Sequence, residues 1–249
     1  MWVSDGENII SLDRHGNKIE KIHQTFSDWG CHTVTKNGNL LYVDTYDNSI
    51  KEYSPSNGST TVIDSLFSTS DSSPECIYSC FRNGNVVVAF IEMKKETEET
   101  GVISCFDKKK EEIWKVYSPK TFVRYITENI NGDICMSRSG NINGSVIVVD
   151  TDGDQRFVYS GRNDSPGFMP LGICTDSQGL ILVINATEHN IHVIYSNGTF
   201  LSVIATEERG SLYTFGLCLD TKGYLWTCGE RGIARWEYGD KVKGRCTIN

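Results

Sequence analysis

Residues 170–204 read PLGICTDSQGLILVINATEHNIHVIYSNGTFLSVI, and the order of apolar runs and turns in this stretch decides the fold. Leu171–Thr175 is an apolar run rich in small residues, suited to a crowded inner strand. Asp176-Ser177-Gln178-Gly179 is a turn, and Leu180–Ile184 follows as a second, buried strand. The polar loop Asn185–Asn190 leads into Ile191–Tyr195, which alternates with period two. Asn197-Gly198 then turns the chain into Phe200–Ile204. Strands of about five residues joined by tight turns predict an antiparallel meander.

The same plan recurs along the chain. Glycines open the second strand at Asn37-Gly38, Asn83-Gly84, Asn131-Gly132, Gln178-Gly179 and Lys222-Gly223, about 44 to 48 residues apart, the period of a four-stranded unit. A second marker keeps the same beat between the last two strands: His15-Gly16, Asn57-Gly58, Asp152-Gly153 and Asn197-Gly198. The units span approximately 1–22, 29–63, 74–117, 124–159, 170–204 and 215–238. One such sheet cannot bury both faces alone, whereas blades stacked around an axis can. The prediction is an all-β, six-bladed β-propeller in one domain. Residues 1–22 match only the later strands of a unit, and the last unit shows three strands without a persuasive fourth. Blade one and ring closure are therefore expected to be incomplete at the N-terminus, with unpaired strand edges.

Composition narrows the function. The 249 residues are 39% hydrophobic, enough for a substantial core, and the five prolines form no linker. A net charge of −8 disfavours nucleic acid and anionic lipid as partners. No run approaches the roughly 18 apolar residues of a membrane span. Met1-Trp2-Val3-Ser4-Asp5 lacks the basic and apolar regions of a signal peptide, so a cytoplasmic chain is expected. The nine cysteines form no Cys-x-x-Cys pair and mostly sit in apolar runs, where a thiol acts as a small hydrophobe. Asn-x-Ser/Thr triplets begin at Asn57, Asn143, Asn163, Asn185 and Asn197; three carry a central glycine and read as turns.

Gly172–Gly179, Asn190–Ile194 and Phe215–Asp220, with Tyr42-Val43-Asp44 followed by Asn48-Ser49-Ile50, give the chain its family likeness. It resembles the NHL-repeat propeller that ends many tripartite-motif proteins, particularly the bivalve and other invertebrate sets, over nearly its whole length. That resemblance implies a recognition or scaffold propeller, the partner-binding domain of a tripartite-motif (TRIM) type ubiquitin ligase. It also implies RING and B-box modules in longer relatives; this chain has none of their Cys/His clusters, so it is expected not to be an enzyme. The family's Asp element is matched by Asp44 and by Asp5, but Asn185 replaces it later, and the third unit carries Glu92–Thr100 there. Asp44 is assigned to loop hydrogen bonding and the Glu/Lys run to a solvated hairpin extension.

The loops between second and third strands should line one rim, presenting Tyr46, Asp47, Arg138, Asn141, Glu188, His189, Glu230 and Arg231. Segments between blades add Trp29, Phe122, Arg124, Phe168 and Tyr213. Aromatic and arginine side chains dominate binding hot spots, so this rim is the candidate recognition face for a protein partner or ubiquitination target. RNA binding is the alternative, which would need clustered Lys and Arg beside aromatics. A less favoured alternative is a lactonase- or esterase-like metal site drawing on Glu75, Asn129, Asp176 and Asp220. Asp176 and Asp220, however, precede turn glycines, where Asp serves the turn. His189 and His192 lie three residues apart, on opposite faces of an extended strand. No cofactor or metal is expected.

Overall fold

Turn chemistry sets where each strand begins and ends. Gly179 (φ 82°) and Gly198 (φ 88°) close their hairpins in the left-handed region that only glycine enters at little cost, and Gly38, Gly84, Gly132 and Gly223 do the same. Ahead of many of these turns an aspartate accepts two backbone N–H groups. Asp176 Oδ1 takes Gln178 N at 2.9 Å and Leu180 N at 2.8 Å. Asp13, Asp107, Asp150 and Asp220 repeat the pattern. Asn57 and Asn197, both within Asn-x-Ser/Thr triplets, likewise accept the N–H two residues on, each at 3.0 Å.

The computed structural model describes the chain apart from residues 5–6, 14, 24–30, 45, 64–71, 95–97, 120–121, 140–143, 165–166, 206–213, 231, 239–245 and 248–249, with backbone alone at 93–94, 98–99, 119, 205 and 246–247. Two compact units emerge, Met1–Lys120 and Thr121–Asn249. In the first, β1 (Trp2–Ser4), β2 (Asn8–Leu12) and β3 (Lys18–His23) form a three-stranded sheet. Next come β4 (His32–Val34), β5 (Leu40–Asp44), β6 (Ser49–Ser54) and β7 (Ser59–Val62), then β8 (Ser72–Ser79), β9 (Val86–Lys94), β10 (Glu98–Phe106) and β11 (Glu112–Pro119). The second unit holds β12 (Phe122–Glu128) to β15 (Gln155–Tyr159) through β13 (Ile134–Ser139) and β14 (Ser145–Val149). It continues with β16 (Pro170–Thr175), β17 (Ile181–Asn185), β18 (Asn190–Ile194) and β19 (Phe200–Ala205). The last sheet is β20 (Thr214–Leu219), β21 (Tyr224–Gly229), β22 (Gly232–Glu237) and β23 (Cys246–Thr247). Every sheet is an antiparallel meander in chain order, and the protein is an all-β, six-bladed β-propeller with no helix among the described residues.

One element differs from the sequence reading and a second follows it. The last sheet gains a fourth strand, β23, whose two residues pair with Arg235 and Trp236; so short a segment leaves no periodic signal. In blade three the hairpin runs past the apolar core of its strands, with pairing continuing to Glu98↔Lys94. The Glu/Lys run thus extends the hairpin.

Neighbouring sheets meet through first strands and buried aliphatics. In the first unit Leu41, Val43, Ile50, Ile77, Val88 and Phe90 share one core, each such side chain stabilising the fold by about 1.5–3 kcal/mol on burial. Ile77 N donates to Cys31 Sγ at 3.2 Å and Ser79 N to Thr33 Oγ1 at 3.2 Å, fixing the third blade against the second. In the second unit, Gly172 of β16 lies so close to β20 that a Cβ there would sit 2.7 Å from Phe215 O and 2.8 Å from Leu217 N. Only glycine fits that approach. Of the eight described cysteines, all free, Cys31, Cys76, Cys80, Cys105, Cys135 and Cys174 are buried. Cys218 is exposed and Cys228 half-buried.

Candidate functional site

In blades two and five the loop between second and third strands starts where a fully buried strand runs out of core. β5 ends on Asp44, itself only 2% exposed, and the turn 46–48 leads into β6. Asp44 Oδ1 accepts Tyr46 N at 3.2 Å, and Asp44 Oδ2 takes Lys51 Nζ at 2.7 Å. Lys51 Nζ also reaches Asp47 Oδ2 at 2.6 Å, and Ser49 Oγ donates to Asp47. Burial alone would lower the Lys51 pKa, but its bonds to Asp44 and Asp47 outweigh that and raise it. Burial would likewise raise Asp47, yet its bonds to Lys51 and Ser49 hold the carboxyl below the usual range. Asn48 adopts φ 59° and donates to Ser73 Oγ at 3.0 Å, tying the loop to β8. The outcome is a braced loop that holds Tyr46 78% exposed. Asp44 therefore serves the loop as expected, with an ion pair added.

The loop between β17 and β18 repeats this design in the second unit with other chemistry. Asn185, fully buried, accepts Thr187 N at 3.2 Å and Met169 N at 3.2 Å. Glu188 Oε2 faces Asn185 Nδ2 at 3.2 Å, Asn190 Nδ2 at 3.2 Å and His192 Nε2 at 3.4 Å. His192 is fully buried, stacked on Phe168 at 5.3 Å and 21°, with Phe200 edge-on at 5.6 Å. Its Nδ1 lies 2.9 Å from Tyr159 Oη. Burial pushes the Tyr159 phenol up to about 12, so it keeps its proton. Nε2 faces both Glu188 Oε2 and Asn185 Nδ2 at 3.4 Å, so the ring can donate to the carboxylate or accept from the amide, with Tyr159 Oη taking the complementary role at Nδ1. Burial lowers the His192 pKa, only partly offset by Glu188, so the ring is held neutral. His189 sits in the loop itself at φ 52°, matching Asn48.

Of the remaining predicted rim residues, Phe122, Arg124, Arg138 and Glu230 lie at the corresponding ends of their sheets. Arg138 Nε donates to Ser145 Oγ at 3.0 Å and Arg124 Nε to Ser139 Oγ at 3.0 Å, with the Arg124 guanidinium 5.1 Å above the Phe122 ring. Glu230 is exposed at the tip of the hairpin whose last pair is Gly229↔Gly232. Trp29, Asn141, Tyr213 and Arg231 lie outside the described residues. Phe168 leaves the rim: it is 4% exposed and belongs to the core under His192. Sequence reasoning missed Lys51 as a brace. Aligning the two loops would have found it, since Lys51 and His192 each stand seven residues after Asp44 and Asn185.

Asp176, Asp220 and Asn129, three of the groups offered for a metal site, are engaged elsewhere. Asp176 Oδ2 accepts Tyr238 Oη at 2.9 Å and Asp220 Oδ2 accepts Trp226 Nε1 at 2.9 Å, while their Oδ1 atoms serve the turns. Asn129 Nδ2 donates to Gly179 O at 3.2 Å. Among the described residues no group of three or more His, Cys, Asp or Glu side chains could hold a metal ion.

No family model matches this chain, and no curated protein matches it. Solved structures do. A protein of unknown function from Bacteroides caccae is 14% identical with a TM-score of 0.69, covering 98% of this chain and 91% of its own. A chain of a nidogen/laminin complex is 14% identical with a TM-score of 0.69, covering 100% and 92%. A gluconolactonase from Xanthomonas campestris is 12% identical with a TM-score of 0.67, covering 92% and 77%. At such identities the likeness establishes the fold.

Proposed function

We propose that this chain is a protein-recognition propeller whose binding face is the end of its sheets carrying the loops between second and third strands. It acts as the partner- or substrate-binding domain of a tripartite-motif type ubiquitin ligase. The observation that carries this reading is the Asp44–Lys51–Asp47 brace, with Asp44 buried, Lys51 partly buried and Asp47 exposed, in the loop that presents an exposed Tyr46. Burying a carboxylate to hold a surface loop costs stability and is offset where the loop must keep one shape. A rigid aromatic on a fixed loop binds at little entropic cost. The repeat motifs support the tripartite-motif assignment, and the nidogen/laminin neighbour fits a propeller of this fold in a protein complex. Free, largely buried cysteines fit a reducing compartment, the cytoplasm.

Affinity capture with the wild-type chain and with a Tyr46→Ala/Arg138→Glu variant tests this. Partners held by the wild type should be lost from the variant while its unfolding transition is retained. Equal recovery of the same partners by both proteins contradicts the reading.

A further inference from the structure

The opposite end of blade three carries a second surface unlike the rest of this acidic chain. The turn between β8 and β9 places Phe81 71% exposed beside an exposed Arg82. The equivalent turn positions in blades five and six are the small polar Ser177 and Thr221, and in blade four the exposed Ile130, without a neighbouring Arg or Lys in its turn. In a four-stranded meander the turn between β10 and β11 emerges at the same end, and here the two touch. A Cβ on Gly84 would meet Lys108 Cε at 3.0 Å. Asp107 Oδ1 accepts Lys109 N at 2.7 Å and Glu111 N at 2.9 Å, so this turn is held rigid with Lys108 and Lys109 exposed. Lys110 takes the left-handed conformation at φ 68°, where the corresponding turns use glycine. Blade two adds an exposed Lys36 from the turn after β4, set beside this end because Thr33 Oγ1 receives Ser79 N at 3.2 Å.

The turns at this end thus carry the exposed cations Lys36, Arg82, Lys108 and Lys109, with Lys110 half-buried, and the exposed Phe81, in a chain whose net charge is −8. The carboxylates among them are Glu52, Asp107 and Glu111. Glu52 accepts Asn39 Nδ2 at 2.8 Å and Asp107 is engaged by its turn. We infer that this end of blade three docks an acidic peptide segment bearing an apolar side chain, the ring taking the apolar group and the cations the carboxylates. A nucleic-acid strand fits less well. Asp107 and Glu111 interrupt the cations, and a single ring offers no run of stacking platforms. This surface is separate from the proposed rim and does not depend on it.

Fluorescence anisotropy with a labelled peptide of repeating Glu-Glu-Leu-Phe, at low and then physiological salt, tests the inference; a single-stranded RNA is titrated in parallel. The wild type should bind the peptide, more weakly at higher salt. Phe81→Ser and Arg82→Glu/Lys109→Glu should each weaken binding about tenfold, Phe81→Trp should retain it, and Lys222→Glu in the equivalent turn of blade six should leave it unchanged. The inference is overturned by absence of peptide binding, by unchanged binding in the Phe81 and Arg82/Lys109 variants, or by RNA binding tighter than peptide at the same turn.

Discussion

The loop after β5 and the loop after β17 share one backbone design and differ in how they are locked. Both run four residues between paired strands, both place a non-glycine residue in the left-handed region, and both hang from a buried side chain that caps the strand end. In blade two the lock is ionic, Lys51 between Asp44 and Asp47. In blade five it is a neutral network, His192 with Glu188, Asn185 and Tyr159 among aromatic rings. A cation can stay charged where two carboxylates share it and part of the site reaches solvent. Within an aromatic core with one half-buried carboxylate, a titratable ring is more stable neutral.

Removing one partner from each lock should expose the difference. Lys51→Met leaves Asp44 buried without its cation and should cost about 3 kcal/mol in urea unfolding. His192→Leu keeps the apolar contacts and removes neutral hydrogen bonds, so it should cost less, about 1–2 kcal/mol. A larger loss at His192 than at Lys51 would break the comparison.

Acid should separate the loops next. The folded-state pKa of His192 is depressed below 6.5, so the unfolded chain takes up a proton before the native state does. The His192 contribution is therefore complete above pH 6.5 and declines as pH falls toward the depressed value. The ionic lock behaves otherwise. Asp47 is depressed below 3.8, so its contribution holds above that pH and fades as pH falls through the lower value. Lys51 is raised above 10.5, so its contribution is lost only as pH climbs through the raised value. Between about pH 6.5 and 4, protection factors should fall at the amides of 186–190 relative to those of 46–49. His192→Gln should abolish that acid response.

The smallest effect concerns the left-handed residues. His189→Gly should stabilise by about 0.5–1 kcal/mol by relieving a conformation histidine adopts poorly. Asn48→Gly should give no gain, because asparagine tolerates that region and the bond to Ser73 is lost. Thermal unfolding of the two variants checks the sign.

Much of the architecture was legible because glycine and asparagine report backbone geometry directly. Gly38, Gly84, Gly132, Gly179 and Gly223 each turned where the repeat placed them. Lys110 hid the matching turn of blade three, although Asp107 three residues earlier carries the same capping role as Asp150. Rim positions were readable from loop placement, as with Tyr46 and Glu230. Their bracing was not, because Lys51 and His192 sit at strand positions where local sequence cannot tell a solvent-facing residue from one folded over the strand end. Phe168 was assigned to the rim for the same reason: its packing against His192 is a tertiary contact between distant segments.

Each braced loop is proposed to meet a partner from its own unit. Hydrogen–deuterium exchange of the chain, alone and with a partner recovered by affinity capture, tests it most directly. The expected result is partner-induced protection at 44–51 and 185–192. Protection confined to the opposite turns, such as 80–85 and 107–111, with both loops unchanged, would contradict it.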